Sequence, residues 1–201
     1  MTISIAIYLF PDVEVLDFAG PYEVFTTASR VFKRKNPKAE DFFRVITVAC
    51  DLGLVRARAG LEVKPDFTIH SHPAIDILVV PGGVVTAELA RTEVIHWIAK
   101  QHPKNLFTAS VCTGAFLLAK AGLLQGKSVT THWEDIADLR GQFPELSIKE
   151  NTRWVDEGTV ITSAGISAGI DMSLHIVERL AGRKLSLDTA RQMEVEWHEN
   201  T

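Results

Sequence analysis

Only two cysteines, Cys50 and Cys112, occur in 201 residues. That is too few for a disulfide framework, and it suits a reducing compartment. Positive charge is not in excess either: 21 Lys and Arg against 25 Asp and Glu give a formal net charge of −4. Nothing there supports an electrostatic nucleic-acid footprint. The basic run Lys33-Arg34-Lys35 reads as a solvated helix end, where cations suit the helix dipole. The opening stretch MTISIAIYLFPD is apolar but lacks a basic leader and a small-residue cleavage site. Its hydrophobic run is also too short to cross a bilayer. A cytoplasmic protein is expected. Repeats, low-complexity segments and linkers are missing, so one domain over residues 1–201 is expected, with 46% hydrophobic residues to build its core.

What is present is an alternation of strand-like and helix-like segments. Apolar runs at 3–10, 42–49, 75–80 and 106–111 read as strands, and 128–131 as a short one. Helical spacing marks 20–35, with Pro21 in a first turn, then 84–102 in two pieces with Thr92 as cap of the second. Further helices are expected at 113–120, 133–141, 166–181 and 186–197. Residues 54–63 around Ala59-Gly60, and 154–162 around Glu157-Gly158, read as hairpins. Strands alternating with helices imply an α/β fold: a mostly parallel sheet covered on both faces. Ligands of such sheets bind outside the carboxyl ends of the strands, here the loops 11–20, 81–85 and 111–114.

Cys112, in TASVCTGAFLLAK, falls where a strand ends and a helix begins. Unpaired amides and the helix dipole favour a thiolate there, and a tight strand-to-helix turn lifts a nucleophile clear of the sheet. An inert core cysteine is the other reading. Cys50 ends a strand with no helix after it and reads as packing. A cysteine nucleophile needs a proton handler and donors for developing negative charge. The amides of Gly82 and Gly83, with that of Thr113, could cradle such charge, or Pro81-Gly82-Gly83 is simply a turn. The first loop offers Asp12, Glu14 and Asp17. Asp17 stands among Val15, Leu16 and Phe18, a setting that raises a carboxyl's pKa and suits acid–base work; a turn or cap carboxylate is the alternative. His132 in TTHW either shuttles protons and binds substrate or is a hydrogen-bonded structural histidine. His70-x-His72 has no further ligands near it, so no zinc site is read there. Gly165 and Gly169 in SAGISAGID suit close packing of a helix start under the active loops, with Ser163 a candidate ligand contact.

Taken in order, LDFAGP, PGG, SVCTG, AGLLQGK, TTHW and AGISAGID resemble the ThiJ/PfpI superfamily, which has the class I glutamine-amidotransferase-like fold. That implies a flavodoxin-like or Rossmann-like sandwich with a nucleophile elbow. Within the superfamily the sequence looks most like the isocyanide hydratase branch and the sensor domains of AraC-type regulators. The resemblance implies that Cys112 is the nucleophile and Asp17 the acid, and that the Thr113 hydroxyl with local amides orients water or acid. Asp17, where glyoxalase-like members carry Glu on an early loop, favours a hydratase. Thr113, where peptidase-like members carry His, weakens a protease reading. The implied function is a hydro-lyase turning a small isocyanide into an N-substituted formamide, without metal or organic cofactor, as a homodimer. A thiol-based redox sensor or regulator-like ligand sensor is the alternative, and glyoxalase-like action on α-oxoaldehydes with help from His132 a further one. The stretch after residue 185 has room for about one helix, short of a two-helix DNA-reading unit, so no nucleic-acid partner is expected.

Overall fold

Ile3–Tyr8 forms β1, and from Ile5 onward every side chain of the strand is buried. A strand covered on both faces needs such an unbroken apolar run, here Ile5 to Tyr8. β1 sits inside a seven-stranded sheet of a computed structural model that describes residues 2–200; Met1 and Thr201, the ends of the expected domain, lie outside the described residues. Its neighbours are β2 (Phe43–Ala49) and, across β1, β6 (Ile77–Val80), both parallel to it. Between these come β3 (Val55–Arg56) and β4 (Glu62–Val63), an antiparallel pair outside the main sheet, and β5 (Phe67–Thr68), an edge strand beside β2 that the sequence reading missed. β7 (Phe107–Val111) pairs with β6. β8 (Ser128–Val129) joins β9 (Ser147–Ile148) in a small separate sheet. β10 (Trp154–Asp156) and β11 (Val160–Ser163) form the expected hairpin, and β11 lies parallel to β7. The order is β10-β11-β7-β6-β1-β2-β5.

The helices are α1 (Val15–Lys35), α2 (Thr86–Leu89), α3 (Thr92–Gln101), α4 (Gly114–Lys120), α5 (Ile136–Gln142), α6 (Ala168–Ala181) and α7 (Arg183–Gln192). α1, α6 and α7 pack on one another, as do α2, α3 and α4, and these layers flank the sheet. Among the described residues no helix is long and apolar enough to cross a membrane.

Several helix starts differ from the sequence reading, α5 at Ile136 rather than 133 and α6 at Ala168 rather than 166 among them. α1 begins at Val15, not near residue 20, so Asp17 sits in a helical turn and Pro21 lies inside the helix. Lacking an N–H, Pro21 leaves the carbonyl of Asp17 without its i→i+4 partner. Thr92 is the first helical residue of α3 rather than its cap; Arg91 holds the cap position and makes no side-chain bond there. α7 starts at Arg183 because Gly182, at φ 85°, turns the chain sharply after α6. Beyond α7 the chain turns back to α6: Trp197 Nε1 donates to the Asp171 carbonyl and the His198 amide to its carboxylate.

The strand order reverses direction at β1. The chain moves outward to β2 and β5, then crosses back to β6 and β7. The loops after β1 and β6 therefore meet at one end of the sheet, the usual ligand position in such folds. A backbone bridge between Val13 and Gly83 ties the two loops together.

Candidate active site

At the end of β7 the chain reverses into α4 through Cys112, which adopts φ 55°. A non-glycine residue in this left-handed region is strained by roughly 1–3 kcal/mol and persists only where its surroundings fix it. Here they do. The Cys112 amide donates to the Ser163 carbonyl at 3.1 Å, and its carbonyl accepts the Thr131 hydroxyl at 2.8 Å. Gly114 completes the turn because no side chain fits: a Cβ there would lie 2.1 Å from the Val80 carbonyl oxygen. The elbow is thus built by β6, β7, β11 and Thr131 together.

Asp17 reaches this elbow from the first turn of α1 and is fully buried. Its Oδ2 accepts the Gly82 amide at 3.0 Å. Its Oδ1 has no hydrogen-bond partner, and the carboxyl lies beside the Cys112 thiol. Burial, with Glu14 adding to it, raises the carboxyl to about 7, against the pull of the Gly82 amide, Cys112 and Arg58. Such a group gains and loses a proton near neutrality.

Two sequence expectations need correction. The thiol was expected to be acidified by the helix start. Instead burial pushes the Cys112 pKa up, and the Asp17 charge adds to the rise; the Thr113 amide and hydroxyl pull the other way without prevailing. Desolvation outweighs the local dipole because the cysteine is only 8% exposed and acids flank it. The amides of Gly82 and Gly83, expected as donors to developing charge, are already engaged: Gly82 bonds Asp17, and Gly83 N–H donates to the Thr113 hydroxyl at 2.9 Å. That hydroxyl also donates to the Gly83 carbonyl at 2.9 Å, so it locks the two loops together. The glycines are needed for space. A Cβ on Gly82 would lie 2.6 Å from the Thr113 amide nitrogen, and one on Gly83 2.3 Å from the Asp12 carbonyl.

Ser163 is fully buried; its hydroxyl donates to the Ser110 carbonyl and its own carbonyl holds Cys112. It lies beneath the elbow rather than facing a ligand. Cys50 is a free, half-buried thiol 3.3 Å from the Tyr8 hydroxyl, away from the elbow. His72 is held between the Trp97 indole and the Pro73 carbonyl.

His132 stands at the thiol and does not stand alone. Its Nδ1 is 3.4 Å from Asp135 Oδ2, within the short helical turn Trp133–Asp135 that it caps. Burial raises the Asp135 carboxyl, opposed by His132. Sequence reasoning missed Asp135; the spacing His132-x-x-Asp135 was the available signal. It also missed the role of Gly165 in the site. A Cβ there would lie 2.4 Å from His132 Cδ2 and 3.0 Å from the Cys112 sulfur. Gly165→Ala is expected to push the imidazole aside and crowd the thiol. Turnover should fall on the order of 100-fold with the unfolding midpoint little changed, as steady-state kinetics beside denaturant titration will show.

The chain is similar over nearly its whole length to known proteins. The chain is 35% identical over 199 residues to the isonitrile hydratase of Pseudomonas putida, covering 98% of this chain and 78% of that protein. It is 31% identical over 183 residues to the HTH-type transcriptional regulator GbdR of Pseudomonas aeruginosa, covering 91% of this chain. It spans only 48% of that regulator's length. Among solved structures it matches a ThiJ/PfpI family protein from Pseudomonas syringae with a TM-score of 0.85 at 27% identity, covering 99% of this chain and 77% of that one. From β1 through most of α6, residues 3–179 match the DJ-1/PfpI family, and it is to this family that the chain belongs.

Proposed function

We propose that this protein is a cofactor-free hydratase that adds water to an isocyanide through Cys112, giving an N-substituted formamide. One observation carries the reading: a fully buried carboxyl, Asp17, with one oxygen fixed by Gly82 and the other unpartnered beside the thiol. The carboxyl, raised to about 7, is placed to take the thiol proton when sulfur attacks. Ionised Asp17 takes the thiol proton as sulfur attacks the terminal carbon of R–N≡C. The same proton passes to that carbon, giving the thioimidate R–N=CH–S–Cys112. Water then adds across C=N, its oxygen to carbon and a proton to nitrogen. The C–S bond breaks, the hydroxyl proton returns to the thiolate through Asp17, and R–NH–CHO leaves. The Thr113 amide beside the sulfur steadies the charge that develops there.

The similarity to an isonitrile hydratase supports this substrate class. The reading includes a small-molecule substrate, a homodimer and a cytoplasmic location. A second reading, a ligand or thiol sensor, is favoured by the regulator similarity. Turnover separates them. With an aryl isocyanide, wild type is expected to release formamide, and Cys112→Ala to lose about 10³-fold or more of the rate. Equal rates in the two proteins would sink the hydratase reading. Absent turnover with ready peroxide oxidation of Cys112 supports a sensor, and lactate from methylglyoxal a glyoxalase.

A further inference from the structure

His132 and Asp135 do more than border the thiol: with it they form a set of metal donors. The Cys112 sulfur, an imidazole nitrogen of His132 and a carboxylate oxygen of Asp135 all lie within 4.8 Å of one another. His132 Nδ1 and Asp135 Oδ2 are 3.4 Å apart. Two donors each about 2.0 Å from a shared tetrahedral ion stand about 3.3 Å apart, so this pair has the spacing of two ligands, and Nδ1 would give up the Glu134 amide that it accepts at 3.4 Å. The sulfur has to draw in by roughly an ångström, within reach of a change in its side-chain torsion.

The donor types choose the ion. Thiolate, imidazole and carboxylate together suit Zn²⁺ and its chemical relatives, whereas Mg²⁺ and Ca²⁺ call for oxygen ligands alone. The charges agree. Burial and neighbouring acids disfavour ionisation of both Cys112 and Asp135, and a dication between them removes that repulsion. Both His132 and Asp135 are set by one short helical turn, so their spacing does not depend on a mobile segment. The exposed Glu134 carboxylate lies 3.8 Å from His132 Nδ1.

We propose that Cys112, His132 and Asp135 form a reversible inhibitory site for Zn²⁺ or an ion of its class. Binding forms a sulfur–metal bond and releases the thiol proton to solvent, so the nucleophile is occupied while the ion is bound. The inhibition rests on the hydratase reading; the binding site does not.

The test uses the full chain after chelation. Co²⁺ is expected to give a sulfur-to-metal charge-transfer band and the visible bands of a tetrahedral site, both erased by equimolar Zn²⁺. Zn²⁺ should slow iodoacetamide labelling of Cys112, followed by peptide mass spectrometry, about tenfold or more, and Mg²⁺ should not. Asp135→Asn and His132→Gln, each compared with its own metal-free labelling rate, should weaken Zn²⁺ protection about 10- to 100-fold. No charge-transfer band, or protection that survives both substitutions, overturns the site. A band with protection in a protein that turns over no isocyanide supports the site and removes only the hydratase reading. Isocyanide turnover that continues under saturating Zn²⁺ overturns the inhibition.

Discussion

Asp17→Asn is expected to lower isocyanide hydration about 10²- to 10⁴-fold while making the protein more stable at neutral and alkaline pH. The two effects have one cause. The carboxyl binds its proton more tightly in the folded protein, at about 7, than at its ordinary value of 3.8. A folded state that holds the extra proton loses stability as pH rises through that window. At about pH 8 the deficit is on the order of 4 kcal/mol, at about 1.4 kcal/mol for each unit of pKa. Asparagine can still accept the Gly82 amide, yet it brings no charge into the buried site. The gain in unfolding free energy should therefore be present at about pH 8 and vanish at about pH 2, below both the folded and the ordinary value, where Asp17 is neutral in both states. Denaturant titrations at the two pH values measure it. Wild-type kcat/KM should rise with pH through about 7 and then level, because the ionised carboxyl takes the thiol proton. That inflection should be missing from the residual activity of Asp17→Asn. A pH-independent loss of activity together with a loss of stability at both pH values would assign Asp17 a merely structural role.

Gly114→Ala should cost on the order of 3 kcal/mol of stability and most of the activity. The added methyl carbon would meet the Val80 carbonyl oxygen at 2.1 Å, and the Pro81 carbonyl at 2.9 Å. These are backbone atoms of a central strand and its exit loop, not the tip of a side chain that can swing away. The elbow must back off β6, and the Cys112 sulfur moves with it. The clash also separates Thr113 from Gly83, releasing the hydroxyl clasp between the two loops. Urea unfolding reads the first effect, and the rate of Cys112 alkylation the second. Wild-type values for both would mean that the elbow is not set by close packing of Gly114 on β6.

Several parts of this site were legible along the chain. An apolar run, a cysteine, a glycine two residues later and a helical stripe give the elbow, because strand, turn and helix there are local events. The apolar neighbours of Asp17 already pointed to a raised pKa. The start of α1 was misread because Pro21 suggests a first turn, yet tertiary packing of Phe18 and Val24 holds the helix together through it. The short strands β5 and β9 carry two residues each, too few to show a period. Asp135 was overlooked because its partner sulfur comes from a different part of the sheet.

The sequence by itself determined the alternation of strands and helices, the strand-to-helix turn at Cys112 and the apolar setting of Asp17, since each depends on residues within a turn or two of one another. Only the tertiary structure decided what those groups do to one another. The reversal of strand order at β1 brings the Asp17 carboxyl to the amide of Gly82, 65 residues away, and to the sulfur beyond it. The same folding spends the Gly82 and Gly83 amides, raises the thiol that its own helix would acidify, and sets His132 and Asp135 at its side. Burial and long-range charge act through space, and sequence spacing does not encode those distances.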